Sequence, residues 1–139
     1  LILYALSVGV DHSELKYLYE LDPNFTALPT YPLVLQSKGD GFDVNSFAEE
    51  VAKGGKIPGL PPYNLNNLVH GEQGMEVLRP VPVGGKFDIK AKIAGVYDKG
   101  SGMVIETVKT LVDKDNIEYV KMTTRMFVIG YGGWGVSTE

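Results

Sequence analysis

Apolar and polar residues alternate along the second half of the chain, whereas the first half shows no such period. Phe87, Ile89, Ala91 and Ile93 interleave with Asp88, Lys90 and Lys92, a period of two that predicts a half-buried strand. Met103 to Val112 predicts a second strand. Ile117 to Ile129 predicts a third, with Val120, Met122, Thr124, Met126 and Val128 on one face. A further strand-like segment runs from Glu72 through Met75, Val77 and Arg79 into Pro80-Val81-Pro82. The missing N–H groups there mark a sheet edge or a bulge. Val83-Gly84-Gly85, Asp98–Gly102 and Asp113–Asn116 are rich in turn residues, and Gly95 relieves curvature within a long strand. The run Phe127-Val128-Ile129 is apolar on both faces, which predicts a covered strand end. Together these segments read as a long antiparallel meander.

The first half reads as short helices and punctuation. Leu1 to Gly9 is an apolar segment stopping at a glycine, as helix ends do. Asp11 and Glu14 have the spacing of a capping box before Leu15, Leu18 and Tyr19, which predicts a short amphipathic helix closed by Pro23. Glycines and prolines break up the stretch from Pro29 to Pro62, and only Ser46 to Lys53 has a helical pattern there. Ser46 and Glu49 form a capping box, Phe47 and Val51 share a face, and Gly54-Gly55 ends the helix. With the helical material ahead of the sheet, the pattern is α+β.

Composition narrows the function classes. The 139 residues suit one domain with a single core. A formal net charge of −4, without a Lys/Arg run, argues against nucleic acid as a partner. The absence of cysteine excludes disulfides, thiolate catalysis and Cys-ligated zinc. His12 and His70 are the only histidines, too few for an imidazole-built metal site. No apolar run approaches the roughly 18 residues of a membrane span. The opening Leu-Ile-Leu-Tyr-Ala-Leu has neither an initiator Met nor a basic region, so it reads as a cut boundary within something longer.

Several short motifs, in order, carry a resemblance. They are Tyr4–Gly9, Leu15–Glu20, Pro29–Pro32, Val69-His70-Gly71-Glu72-Gln73, Asp98-Lys99-Gly100-Ser101-Gly102 and Gly130–Gly135. In this order and spacing the chain resembles the 2-enoyl-CoA hydratase 2 (MaoC-like) family. The part resembled is the N-terminal, non-catalytic half of the hydratase 2 region of peroxisomal multifunctional enzymes. The resemblance implies a hot-dog fold over residues 1–130: a long curved antiparallel sheet wrapped around a central helix. That helix would be shortened here to Ser46–Lys53, making room for a long acyl chain. It also implies that residues 131–139 are a Gly-rich linker toward a missing catalytic repeat.

The family's acid/base pair sits in a G-D-x-N-P-x-H type motif, with the carboxylate five residues before the imidazole. The residue five before His70 is Leu65, and five before His12 is Ser7, so no catalytic residue is expected in this chain. What the resemblance implies instead is substrate contact: His70 and Gly71 line the acyl-CoA site, and Lys99 meets the coenzyme A moiety. Glycine permits close approach to the backbone, and lysine supplies a point charge for phosphate. Read without the family, His70 is a structural residue at a strand start and Lys99 a solvated turn lysine. Glu72 reads as a hydrogen-bonding neighbour of the site, His12 as a surface residue. Tyr4, Tyr17, Tyr19, Phe25 and Tyr31 read as core or acyl-tunnel wall. The Gly130–Gly135 run lacks a P-loop lysine and a following helix, so it reads as linker, with Trp134 as an anchor.

The expected function is therefore the substrate-binding half of a (3R)-specific 2-enoyl-CoA hydratase in fatty-acid β-oxidation, peroxisomal by resemblance. Its partners would be an acyl-CoA thioester and a catalytic hot-dog repeat, of the same polypeptide or of a homologous subunit, paired through sheet edges. The full enzyme would be a homodimer. No metal or redox cofactor is expected; coenzyme A enters as part of the substrate. Two alternatives stay open. One is a non-catalytic acyl-CoA binding or dimerisation domain, the other a hot-dog thioesterase using Glu49 or Glu50.

Overall fold

The computed structural model describes residues 1–38, 57–60 and 62–135. Among the described residues three short helices precede the sheet: α1 (Ile2–Ser7), α2 (Leu15–Leu18) and α3 (Pro32–Lys38). A single 3₁₀ turn, Leu65–Asn67, then leads into β1 (Leu68–Val77), β2 (Asp88–Asp98), β3 (Gly102–Val112) and β4 (Glu118–Ile129). The four alternating segments thus become four strands, with β1 beginning at Leu68 rather than at Glu72.

The helical region departs from its expected local chemistry in two places. The Asp11/Glu14 capping box does not form. Asp11 Oδ1 accepts instead from Ser13 N (2.9 Å) and Ser13 Oγ (2.6 Å), a local turn that competes with capping. Glu14 is left as the N-cap without a side-chain bond, and α2 is one turn long, ending before Pro23. In the Pro29–Pro62 stretch α3 does form, although no helix was expected between Pro29 and Ser46. Pro32 opens it at a position where a missing N–H costs nothing, so this proline starts a helix instead of breaking one.

The sheet is a single four-stranded antiparallel layer ordered β1-β4-β3-β2. Only β2, β3 and β4 form a meander. The chain crosses from β1 past two strands before β2 starts, so β1 pairs with β4, and the expected four-strand meander is corrected at that point. Asp113 shapes the β3–β4 turn, its Oδ1 accepting from Asp115 N and Ile117 N at 2.9 Å each, with Asn116 at a positive φ of 61°. Gly95 stands at a register shift in β2, where curvature relief was expected.

The expected long curved sheet around a shortened central helix is overturned. The sheet is open and neither closed nor strongly curled: its end strands β1 and β2 lie on opposite edges, with no partner strand among the described residues. Among the described residues no helix exceeds the seven residues of α3, and no long helix lies across the sheet. The segment Ser46–Lys53, with Glu49 and Glu50, lies outside the described residues. A four-stranded antiparallel sheet of this kind remains consistent with the hot-dog fold.

One face of the sheet carries two apolar clusters. Met103, Ile105 and Val128 gather Ile57, Leu60, Tyr63, Leu68, Val96 and Tyr131 at one end. At the other end Leu111, Val120 and Met122 pack with Leu33, Leu35, Met75, Val81, Phe87 and Ile89. A polar row crosses between them, Gln73 beside Thr124 beside Thr107, with Thr124 Oγ1 donating to Gln73 Oε1 at 2.9 Å. The strand end at Phe127-Val128-Ile129 is covered on one side only: Val128 is fully buried, while Ile129 is 51% exposed.

Leu111, 1% exposed, fills the second cluster, whereas Leu3 is 81% exposed. Leu111→Ala is expected to cost about 2–5 kcal/mol in urea unfolding at an unchanged m-value. Leu3→Ala should stay within about 0.5 kcal/mol. Equal effects at the two positions would refute this placement of the core.

Candidate functional site

The entry to β1 is bent by a bulge. His70 pairs with Met126 and Glu72 with Arg125, which leaves Gly71 unpaired between them. A Cβ on Gly71 would lie 3.2 Å from the Arg125 carbonyl oxygen, so the two backbones are close enough that a side chain there would force a shift. His70 itself is exposed. Next to the bulge a charged row crosses three strands. Arg125 Nη1 donates to Glu72 Oε2 at 2.7 Å, and Arg125 Nε to Glu106 Oε2 at 2.5 Å. The hydrogen bonds it donates to Glu72 and then to Glu106 hold the Arg125 guanidinium above its ordinary pKa. Glu72 is therefore engaged by an arginine rather than free as a base. By register Glu72 pairs with Arg125, on the sheet face opposite Met126, the partner of His70, whereas Arg125 and Glu106 escaped the sequence reading. Their partnership depends on cross-strand register, and no motif announces it.

The turn from β2 to β3 carries Lys99. Lys99 N donates to Gly102 O (2.9 Å), and the Lys99 ammonium lies 6.0 Å from the Tyr97 ring centroid, otherwise exposed. Asp98, the residue before it, gathers backbone N–H groups from two segments. Oδ1 accepts from Gly100 N (2.8 Å) and Gly133 N (2.8 Å), and Oδ2 accepts from Gly135 N. The N–H groups of Gly133, Gly135 and Gly100, with a smaller contribution from Trp134, hold the Asp98 carboxyl down at about 2. Gly132 lies against the same turn: a Cβ there would collide with Gly100 O and with Gly102. Trp134 is half-exposed, its indole N–H donating to Tyr131 O at 2.8 Å. Tyr131 in turn packs edge-on against Tyr63 and accepts from Asn64 N.

His70 and Lys99 stand at the same end of the sheet on opposite edges. The terminal row runs Leu68, Val128, Met103, Asp98, so the edges that carry His70 and Lys99 are three strand spacings apart, about 14 Å across the sheet, with His70 set back two residues along β1. They do not touch, and only an elongated ligand reaches both. At the far end of β1 a cleft of about 180 Å³ opens between Tyr17, Leu28, Pro29 and Pro32 on one side and Val77, Pro80 and Val81 on the other. Of the aromatic residues expected in core or tunnel, Tyr17 lines this cleft. Tyr4 and Tyr31 pair edge-on at 5.4 Å, Phe25 is half-buried, and Tyr19 is exposed. His12 is a surface residue, 3.6 Å from Asp11. Among the described residues no group of three His, Asp or Glu could hold a metal ion.

Comparison with known proteins places this sheet among the MaoC-like dehydratases and hydratases. Residues 1–130 match the model of the MFE-2 hydratase 2 N-terminal domain, and the chain belongs to that family. It is 37% identical over 141 residues to "Probable dehydratase NIT22" of Ajellomyces capsulatus, covering 96% of this chain and 37% of that protein. Against peroxisomal multifunctional enzyme type 2 of mouse the identity is 35%, over 96% of this chain and 17% of that protein. The crystal structure of a MaoC-like dehydratase from Phytophthora capsici superposes with a TM-score of 0.85 at 35% identity, covering 96% of this chain and 44% of that one. The chain thus spans less than half the length of these relatives. Further relatives include other peroxisomal hydratases and multifunctional enzymes, so the family association is peroxisomal. The family membership gives the chain a hydratase-related, enzyme-associated role.

The Asp98 carboxyl offers a direct check of the turn. Its folded pKa lies below the ordinary 3.8, so its contribution to stability is complete above about 3.8 and is lost as pH falls through about 2. The side-chain carboxyl resonance of Asp98, followed by NMR, should titrate with a midpoint near 2. A midpoint at 3.8 would mean that the glycine amides do not hold the carboxylate.

Proposed function

We propose that this chain is the substrate-binding, non-catalytic half of a (3R)-specific 2-enoyl-CoA hydratase acting in peroxisomal fatty-acid β-oxidation. The observation that carries the reading is the match to a hydratase 2 N-terminal domain over residues 1–130, in a chain that lacks the family's Asp-to-His spacing. Hydration of a trans-2-enoyl thioester removes a proton from water, adds the oxygen to C3 and delivers a proton to C2. An N–H donor meanwhile holds the thioester oxyanion. The acid/base pair for these transfers comes from a second, catalytic hot-dog repeat. This half binds and orients.

In this reading His70 and Gly71 line the acyl-CoA site and Lys99 pairs with phosphate of the coenzyme A moiety. The separation of the two edges, about 14 Å, supports a long ligand with its anionic groups at one end. A coenzyme A thioester has that form, with phosphates far from the reacting carbonyl. The apolar cleft beside Val77 and Val81 supports an acyl chain running along β1 away from His70. Coenzyme A enters as substrate, with no metal or redox group.

The catalytic repeat, in the same polypeptide or a homologous subunit, docks through a sheet edge, and the full enzyme forms a homodimer. Edge chemistry favours β1 for the docking. On β2, Lys90 and Lys92 discourage strand addition, whereas β1 has no lysine. Residues 131–139 lead onward as a linker to that repeat.

Coenzyme A titrated calorimetrically into the chain should bind saturably. Lys99→Ala should weaken binding about tenfold, equivalent to about 1.4 kcal/mol, and flatten its salt dependence. Unchanged affinity in Lys99→Ala would remove the phosphate contact. Release of free thiol from an acyl-CoA would instead favour a thioesterase, and saturable binding by a complete native chain that hydrates nothing would favour a plain binding domain.

A further inference from the structure

We propose that Asp98 is a positioning residue for the Lys99 contact, and that it acts by locking the Lys99 turn to the Gly-rich strap that leaves β4. The proposal rests on the coenzyme A reading of Lys99 given above and extends it to a residue that no ligand needs to touch. A solvated hairpin turn is ordinarily free to fluctuate, and a lysine on it holds no fixed position. This turn is tied down from both sides. Ser101 O accepts from Gly130 N at 2.9 Å, and the Asp98 carboxylate accepts from Gly100 within the turn and from Gly133 and Gly135 in the strap.

The strap is shaped for the task. Gly130 and Gly133 take positive φ values of 82° and 81°, so the chain folds back over the turn. Gly132 lies where any side chain would strike Gly100 and Gly102. The strap is itself anchored to the body: Tyr131 packs on the cluster of Met103, Ile105 and Val128, and its hydroxyl accepts from Asn64 N at 2.9 Å. The carboxylate of Asp98 is thus the joint between the element that carries the lysine and an element fixed to the core. Both carboxylate oxygens are used, and this is why an acidic residue suits the position. An amide has one acceptor oxygen, and its NH₂ would face the Gly135 N–H donor to donor.

The strap held by Asp98 is also the segment leading toward the catalytic repeat, so ligand engaged at Lys99 and the direction of that connection are set by the same carboxylate.

The test combines amide exchange with a double-mutant cycle on the full chain. In Asp98→Asn, exchange at Gly100, Gly133 and Gly135 should quicken at least tenfold, while Val120 and Val128 keep the parent's protection. Coenzyme A affinity should fall about as far as in Lys99→Ala, and Asp98→Asn should add nothing further in the Lys99→Ala background. A residue acting through general stability alone gives additive losses, so additivity overturns the positioning role. Unchanged exchange at Gly133 and Gly135, or parent-like affinity in Asp98→Asn beside a weakened Lys99→Ala, overturns it as well and leaves the coenzyme A reading standing. Parent-like affinity in Lys99→Ala removes that reading instead, and Asp98's service to Lys99 with it, whatever the exchange rates show.

Discussion

Everything in this domain hangs on the central strand β4. It is hydrogen-bonded along its length to β1 on one side and β3 on the other, and Val120 and Val128 on it are fully buried. Because side chains alternate faces along a strand, its register decides which residues of both neighbours reach the core. That register sets Met103 and Ile105 beside Val128 and Met126, and Leu111 beside Val120. It also sets Arg125 between Glu72 and Glu106, and it fixes the bulge that exposes His70 and Gly71. A slip of one residue in β4 would turn its buried valines outward and break the charged row.

The two ends of the site are held by different chemistry. At the β1 edge an arginine shared between two carboxylates ties three strands together next to the bulge. These charges are partly solvated, so their worth is in fixing geometry more than in stabilising the fold. At the β2 edge the fixing group is a carboxylate surrounded by glycine N–H donors. Each device makes rigid a place where a ligand contact is proposed, on a sheet whose open edges would otherwise leave strand ends and turns mobile. In the proposed reading such preorganisation matters, since a misplaced substrate would slow a reaction carried out by another repeat.

The strands were legible because a half-buried strand writes a period of two into the sequence, and Phe87–Ile93 and Val120–Val128 write it plainly. Their order was not legible. That β1 pairs with β4 rather than β2 is a long-range fact, and neither local propensity nor turn chemistry encodes it. Pro32 shows a different limit: the same residue that breaks a helix also opens one, and its position alone decides. Asp11 shows the reverse, a cap signature diverted into a turn with Ser13. The curled sheet and its central helix came from resemblance and gave way to an open four-stranded layer. His70, Gly71 and Lys99 were likewise named by resemblance, and their spacing on opposite edges emerges only from the pairing. The contacts of Arg125 with Glu106 and Glu72, and of Asp98 with Gly133, join residues 19, 53 and 35 positions apart. Such contacts leave no trace in any window of sequence.

The most direct measurement is hydration of a trans-2-enoyl-CoA, followed by loss of the conjugated thioester, with this chain alone and with the same chain joined to a catalytic hot-dog repeat of the family. The expected result is saturable binding without turnover by the chain alone, and (3R)-3-hydroxyacyl-CoA once the repeat is present. Hydration by this chain alone would contradict the assignment, because the acid/base pair would then have to lie within these residues.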